Sequence, residues 1–273
     1  VIVLGGTFLM GTPSGEIEPT PPAEVNQQTV EITHDLLVME TEVTQELWLE
    51  KSGTVTNPAF HSDCPACPVE RVNWFEALMF ANAVSELERL PACYELSECS
   101  GSFAGGCAEG DQFCPGFTCD SVTFAGVDCL GYRLPTEAEW EYLARADSTG
   151  PFDGSVEELA WFRTTLDTSE SQPVGGKLPN AWGLFDLHGN VGEWVMDIID
   201  APYPESESTL LNPLVFGDAD DVSELAARGV RGGGFVSVES AIRAASRGQT
   251  IPEDRVFTVG IRLVRTFYTE AGD

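Results

Sequence analysis

Gly131-Tyr-Arg-Leu-Pro-Thr-Glu-Ala-Glu-Trp-Glu-Tyr142 is the stretch whose reading decides the fold. Thr136 and Glu139 stand three residues apart, the spacing of a capping box, in which hydroxyl and carboxylate each satisfy a free backbone N–H of a starting helix. Pro135 ends what precedes, and Trp140 and Leu143 give that helix its buried side. Upstream, Asn73 predicts a second start, with Glu76 at the third helical position and a helix to about Leu90. Trp74, Ala77, Leu78, Ala81, Val84 and Leu87 recur there at helical spacing and are expected in the core. Thr44 caps a short helix through Trp48 and Leu49, with Glu46 in the first turn, where a carboxylate suits the dipole. Val1–Met10 and Val30–Met39 read as strands, and 11–28, with four prolines, as an extended surface loop. No repeat and no linker divides the chain, so one mixed α and β domain over 1–273 is expected.

The 44 Asp and Glu against 14 Lys and Arg leave a formal charge of −30. Such a surface repels phosphate backbones and anionic lipid, which excludes nucleic acid and polybasic membrane contact as partners. With 42% hydrophobic residues and six tryptophans, the chain can bury a core, and disorder is excluded. No apolar run reaches the ~18 residues of a membrane helix.

All eight cysteines fall between Cys64 and Cys129. An even count among Gly, Ser and acidic residues reads as a disulfide framework, most of it in an insertion at about 91–130. The spacing does not select the pairing. Zinc competes at Cys64-Pro-Ala-Cys67, but no second such pair follows, and His34, His61 and His188 form no His-x₃₋₅-His unit. Disulfides place the protein outside the cytoplasm: periplasm, cell surface or secreted. The chain begins at Val1, so any targeting segment is expected to have been removed.

Gly5-Gly-Thr-Phe-Leu-Met-Gly11, Thr41-Glu-Val-Thr44, Cys67-Pro-Val-Glu-Arg-Val-Asn-Trp74, the Tyr132–Tyr142 block, Pro179-Asn-Ala-Trp-Gly-Leu184, Gly189-Asn-Val-Gly-Glu-Trp194, Arg231-Gly-Gly and Gly260-Ile-Arg262 follow one another along nearly the whole chain. In that order they resemble the formylglycine-generating enzyme (sulfatase-modifying factor) family. The resemblance implies an α+β, elaborated C-type-lectin-like fold with low regular secondary structure, usually with bound Ca²⁺. The family's enzyme oxidises a sulfatase cysteine using copper on two cysteines that follow its Arg-Gly-Gly-Ser block. Here Gly234 stands at the serine and Ser237 at the first cysteine. No Cys, Met or His follows Met196, so a soft Cu(I) ion has no donors in the tail. Formylglycine-generating activity is therefore not expected.

For calcium the resemblance implies the Asp186 side chain, the Gly189 and Val191 carbonyls and Glu193, oxygen donors of the kind a hard cation takes. A second site would fall near 157–170, with Glu157, Glu158 and Asp167 available. In the tail, Arg231, Arg243 and Arg247 beside Phe235, Ser237 and Glu239 read two ways. They are buried partners of carboxylates, or they line a pocket for an anion or a carboxylate-bearing peptide. Trp140, Trp182 and Trp194 are expected in the core, and His188 at the surface. Two functions remain open. One is a non-catalytic, calcium-binding, disulfide-stabilised binding or assembly module whose partner is a protein or small ligand. The other is an enzyme of the same superfamily with a chemistry that needs no copper thiolate.

Overall fold

Three helices begin where side chains supply the missing acceptors, as the sequence predicts. In the computed structural model α1 spans Gln45–Lys51, and the Thr44 hydroxyl accepts from the Leu47 amide at 3.1 Å. Helix α2 spans Trp74–Leu87, with the full Asn73/Glu76 capping box. Helix α3 spans Glu137–Arg145 behind the Thr136/Glu139 box and ends on Ala146 in the left-handed region. A fourth, α4, is a single turn at Val156–Leu159. The structure describes residues 1–13, 16, 27–108, 111, 113–166, 170–199, 208–216 and 227–268. Most of the predicted 11–28 loop, and Asp167, lie outside them.

Strands are short and gathered into small sheets. The predicted N-terminal strand divides into Ile2–Val3 and Gly6–Met10, and the second into Gln28–Ile32 and Asp35–Val38. Each half joins a different sheet. Asp35–Val38 lies between Ile2–Val3 and Val264–Phe267, and Gln28–Ile32 between Gly6–Met10 and Leu210–Leu211. The sheet that organises the site runs Gly248–Thr250, Arg228–Arg231, Gly192–Ile198, Val259–Gly260. Its central strand Gly192–Ile198 is buried at six consecutive residues, so it shows no alternation of apolar and polar positions.

The segment 91–130 is more regular than its composition suggests. Tyr94–Ser100 pairs antiparallel with Thr118–Phe124, with Cys99 opposite Cys119. The bridges are Cys64–Cys67, Cys93–Cys129, Cys99–Cys119 and Cys107–Cys114, and no cysteine is free. Cys64–Cys67 is thus a disulfide rather than a zinc knuckle. Four bridges are what an oxidising environment sustains. Among the described residues no helix is long and apolar enough to cross a membrane.

Two larger hydrophobic clusters and a small third fill the interior. One joins α2 to the insertion, with Trp74 and Phe80 of α2 clustered with Tyr94, Phe117 and Val122 and with Trp48 and Trp194. The other joins α3 to the N-terminal strands through Trp140, Leu143 and Val38. On α2 the expected apolar face is buried except for Leu87, which is 59% exposed.

Candidate functional site

Helix α3 carries three buried glutamates, and each is met by arginine. Glu137 accepts from Arg247 Nε at 2.6 Å and Nη2 at 2.7 Å. Glu139 accepts from Arg133 Nη1 at 2.6 Å and lies 2.8 Å from His34 Nε2. Glu141 accepts from Arg145 Nη2 at 2.6 Å and from Arg231 Nη2 at 2.6 Å. Burial alone would raise Glu139, but the Arg133 guanidinium and then His34 hold it down at about 2.

This network bears on both readings of the tail arginines. Arg231 is fully buried and also donates to the carbonyls of Ala244, Ala245 and Ser246. Arg243, buried too, donates to the Ser240 carbonyl and to Glu16. Phe235 is buried, and its amide donates to the Asn190 carbonyl at 2.7 Å. The Ser237 hydroxyl accepts from the Gly234 amide, while Glu239 points outward in a short turn. Ser237 and Arg247 do share a cavity of about 180 Å³ with Val230, Gly233 and Ser246. Arg231, Phe235, Glu239 and Arg243 do not line it. A larger groove, about 1040 Å³, lies between α2 and the insertion hairpin, with Met79, Leu90, Leu96 and Phe117 on its walls.

The turn expected to hold calcium is tightly built. Asp186 and Asn190 both have positive φ, at 58° and 54°. Gly189 has φ +82°, and a Cβ there would come within 2.2 Å of the Trp161 carbonyl, so no other residue fits. Asp186 and Glu193 are both buried. Asp186 Oδ2 accepts from the Gly175 amide at 2.6 Å, and Oδ1 is buried with no partner among the described residues. Glu193 accepts from the Trp140 indole at 2.7 Å and from Arg262 Nη2 at 2.8 Å.

Glu42 joins this group, although its sequence motif gave it no role. Its carboxylate accepts from the Asn190 side chain and the Val191 amide. Burial, then the charges of Asp186 and Glu193, push it well above the ordinary carboxylate range. Burial raises Asp186 as well. Three carboxyl groups thus face one guanidinium, Arg262, which leaves the group short of positive charge. Among the described residues no three His, Cys, Asp or Glu side chains are arranged as a metal site. The expected set, two carboxylates and two carbonyls, does not need such a group. At the expected second site, Glu157 and Glu158 are exposed on α4.

Two side chains depart from expectation. His188 is buried, bonded through Nδ1 to the Ile242 carbonyl, and burial lowers it to about 4, so it is neutral at pH 7. Trp140 and Trp194 are fully buried, but Trp182 is only half-buried.

Glu70 supplies a pH signature. Its Oε1 accepts from the Phe60 amide at 2.6 Å, Oε2 has no partner among the described residues, and burial raises it to about 8. The neighbouring Arg71 guanidinium lies over the Phe60 ring, 4.4 Å from its centre, instead of on this carboxyl. A raised folded-state pKa adds stability that is fully present below the unfolded value of 4.5 and is lost as pH rises through about 8. Glu70→Gln keeps the acceptor without the charge. Relative to wild type it is expected to gain stability progressively from pH ~5 to ~9, with (8 − 4.5) × ~1.4, or about 5 kcal/mol, as the ceiling. Urea unfolding at a series of pH values measures this, and parallel curves for the two proteins would refute it.

A model of the sulfatase-modifying factor enzyme 1-like domain matches residues 1–267. The chain belongs to this family. Among relatives of this sulfatase-modifying-factor chain, the chaperone protein LppX of Paenibacillus barcinonensis is 27% identical over 216 residues, 71% of this chain and 69% of the chaperone. A formylglycine-generating enzyme of Thermomonospora curvata is 31% identical over 162 residues, 52% of each chain. The match thus spans about half of that enzyme. Treponema denticola variable protein 1 superposes with a TM-score of 0.72 at 25% identity, over 97% of this chain and all of the other. The α+β fold with little regular secondary structure is the sulfatase-modifying-factor fold.

Proposed function

We propose that this sulfatase-modifying-factor domain is a non-catalytic, calcium-binding, disulfide-stabilised binding or assembly module working outside the cytoplasm. Its fold is read as an elaborated C-type-lectin-like scaffold forming one unit over 1–273, and its partner as a protein or small ligand. The observation that carries this is the mutual neutralisation of Arg231 and Arg247 by Glu137 and Glu141. Where a reactive pocket would need free charge and an activated nucleophile, the arginines are locked into the core, and every cysteine is bridged. Among the described residues Ser237 offers a hydroxyl with no base bonded to it, its oxygen being held by the Gly234 amide. A relative named a chaperone points the same way.

Calcium would be held by Asp186, the carbonyls of Gly189 and Val191, and Glu193, with Glu42 adding negative charge behind them. Bound there, the ion balances buried carboxylates that Arg262 alone leaves in excess. A ligand held only by the folded state raises stability by mass action. Adding calcium to chelator-treated protein is expected to raise its melting temperature and to give a saturable calorimetric isotherm. Asp186→Asn should weaken that isotherm about tenfold or more without straining the turn, because Asn accepts positive φ. An unmoved melting temperature together with a flat isotherm would remove calcium from the proposal.

A further inference from the structure

A corner of the molecule away from the calcium turn has the chemistry of a cation receptor. A cavity of about 350 Å³ is walled by Ile2, Val3 and Leu4 on one side and by Tyr142 and Trp182 on the other, with Asp147 at its rim. The two rings pack edge to face, with centroids 4.8 Å apart and planes at 67°, and form one aromatic wall in which Tyr142 is largely buried and Trp182 more open. The Tyr142 hydroxyl donates to the Leu4 carbonyl at 3.0 Å, which fixes the ring. Gly6 lets the N-terminal strand come this close, since a Cβ there would lie 2.5 Å from that hydroxyl. Half-buried Trp182 is the one member of the predicted core tryptophans that faces such a space.

Asp147 is held in an unusual way. It follows α3 directly, and both Ala146 and Asp147 have positive φ, at 43° and 69°. Two such residues in succession turn the chain out of the helix and leave the carboxylate exposed at the cavity mouth. The nearest cation in sequence, Arg145, is taken up by Glu141 and by the Gly11 and Gly150 carbonyls. Tyr142 is raised first by burial and then by the charge of Asp147, so the carboxylate's field falls on the ring.

We propose that this corner binds an alkylammonium group, with the cation between Asp147 and the Tyr142 and Trp182 rings and its stem along Ile2, Val3 and Leu4. Aromatic faces attract cations, and a carboxylate adds a charge-assisted contact. An anion would meet a chain of formal charge −30, and a neutral apolar guest would desolvate Asp147 without compensation. The volume is at the small end of ligand pockets, about 300–1,000 Å³, and suits a short-chain amine or the end of a lysine side chain. Both sources share one chemistry.

The test is calorimetric titration at fixed ionic strength with n-butyltrimethylammonium, n-butylamine, Nα-acetyl-lysine methylamide and, as neutral control, n-butanol. At least one cationic probe is expected to saturate with a Kd of about 1 mM or tighter, and butanol to bind about tenfold more weakly or worse. Asp147→Asn should cost about tenfold in affinity with an unchanged melting curve, because Asn suits the left-handed backbone. Diffuse attraction to the acidic surface would barely notice one carboxylate among 44, so an Asp147→Asn variant that binds like wild type overturns the proposal. Failure of all three cations to saturate at several millimolar overturns it too. A preference for acetyl-lysine methylamide over butylamine assigns the source to a partner's lysine, and the reverse preference to a free amine.

Discussion

Replacing Arg262 with methionine is expected to cost the fold about 3–5 kcal/mol, the range for a buried pair left with one uncompensated charge. The guanidinium donates to Glu193 through Nε at 3.0 Å and Nη2 at 2.8 Å, and to the Met39 and Phe185 carbonyls at 2.9 and 2.6 Å. Glu193 and Arg262 are fully buried, so water cannot replace the lost partner. Methionine fills much of the volume, which isolates the charge effect from cavity formation. The deficit should grow because Glu42 and Asp186 crowd the same site, with Arg262 lowering both. Guanidinium unfolding in the presence of chelator reads the loss, and a change below ~1 kcal/mol would mean that Arg262 does not offset these carboxylates. Calcium is expected to recover part of the loss, since an added cation does electrostatically what the guanidinium did. Glu193→Gln in the same background should recover part as well, and the double-mutant cycle then separates the pair from its surroundings.

Local chemistry made some of the fold legible in the sequence and left other parts unreadable. Thr44, Asn73 and Thr136 announce three helices because a cap is a contact within four residues. Burial of the tail arginines against carboxylates was one of two readings. Nothing in the sequence says that Glu137, Glu139 and Glu141 all turn inward, because three glutamates in one helix normally face water. They are buried at alternate positions of α3, a pattern that helical periodicity does not favour, and only the arriving Arg133, Arg145, Arg231 and Arg247 explain it. The strand Gly192–Ile198 escaped for a related reason: covered on both faces, it has no period to read. Glu42 and Arg262 reach the candidate calcium turn from segments about 150 residues and 70 residues away in sequence, a distance at which spacing carries no information. The family motif points to Asp186 and Gly189 in the turn and to Glu193 at the start of the strand Gly192–Ile198 that follows it. Trp182 belongs to a family motif as well, yet it is the tryptophan left half-open beside Asp147, which is why the amine-binding corner was not anticipated.

Removing the Cys93–Cys129 bridge, as a double alanine variant, is expected to destabilise the protein by about 3 kcal/mol: its cysteines are 36 residues apart, but the intact Cys99–Cys119 bridge takes 20 out of that loop and leaves about 16. The same relation gives about 1.6 kcal/mol for Cys64–Cys67, separated by three residues. The contrast is sharper than either number, because both variants exchange the same atoms and differ chiefly in the loop released. Cys93 is almost fully buried in the cluster joining α2 to the insertion, and Asn82 on α2 accepts from the Cys93 amide. Opening this bridge therefore loosens both ends of the segment that carries the hairpin Tyr94–Ser100 with Thr118–Phe124. The Cys99–Cys119 bridge lies inside that loop, 20 residues apart. Each bridge removed alone frees a loop that the other still shortens, so removing both should cost more than the sum of the two single losses. Urea unfolding of the three double-alanine variants and of the outer-plus-inner combination measures the series. If Cys64–Cys67 costs as much as Cys93–Cys129, the bridges act through local packing in the folded state, and the insertion is not held by the closure of its own loop.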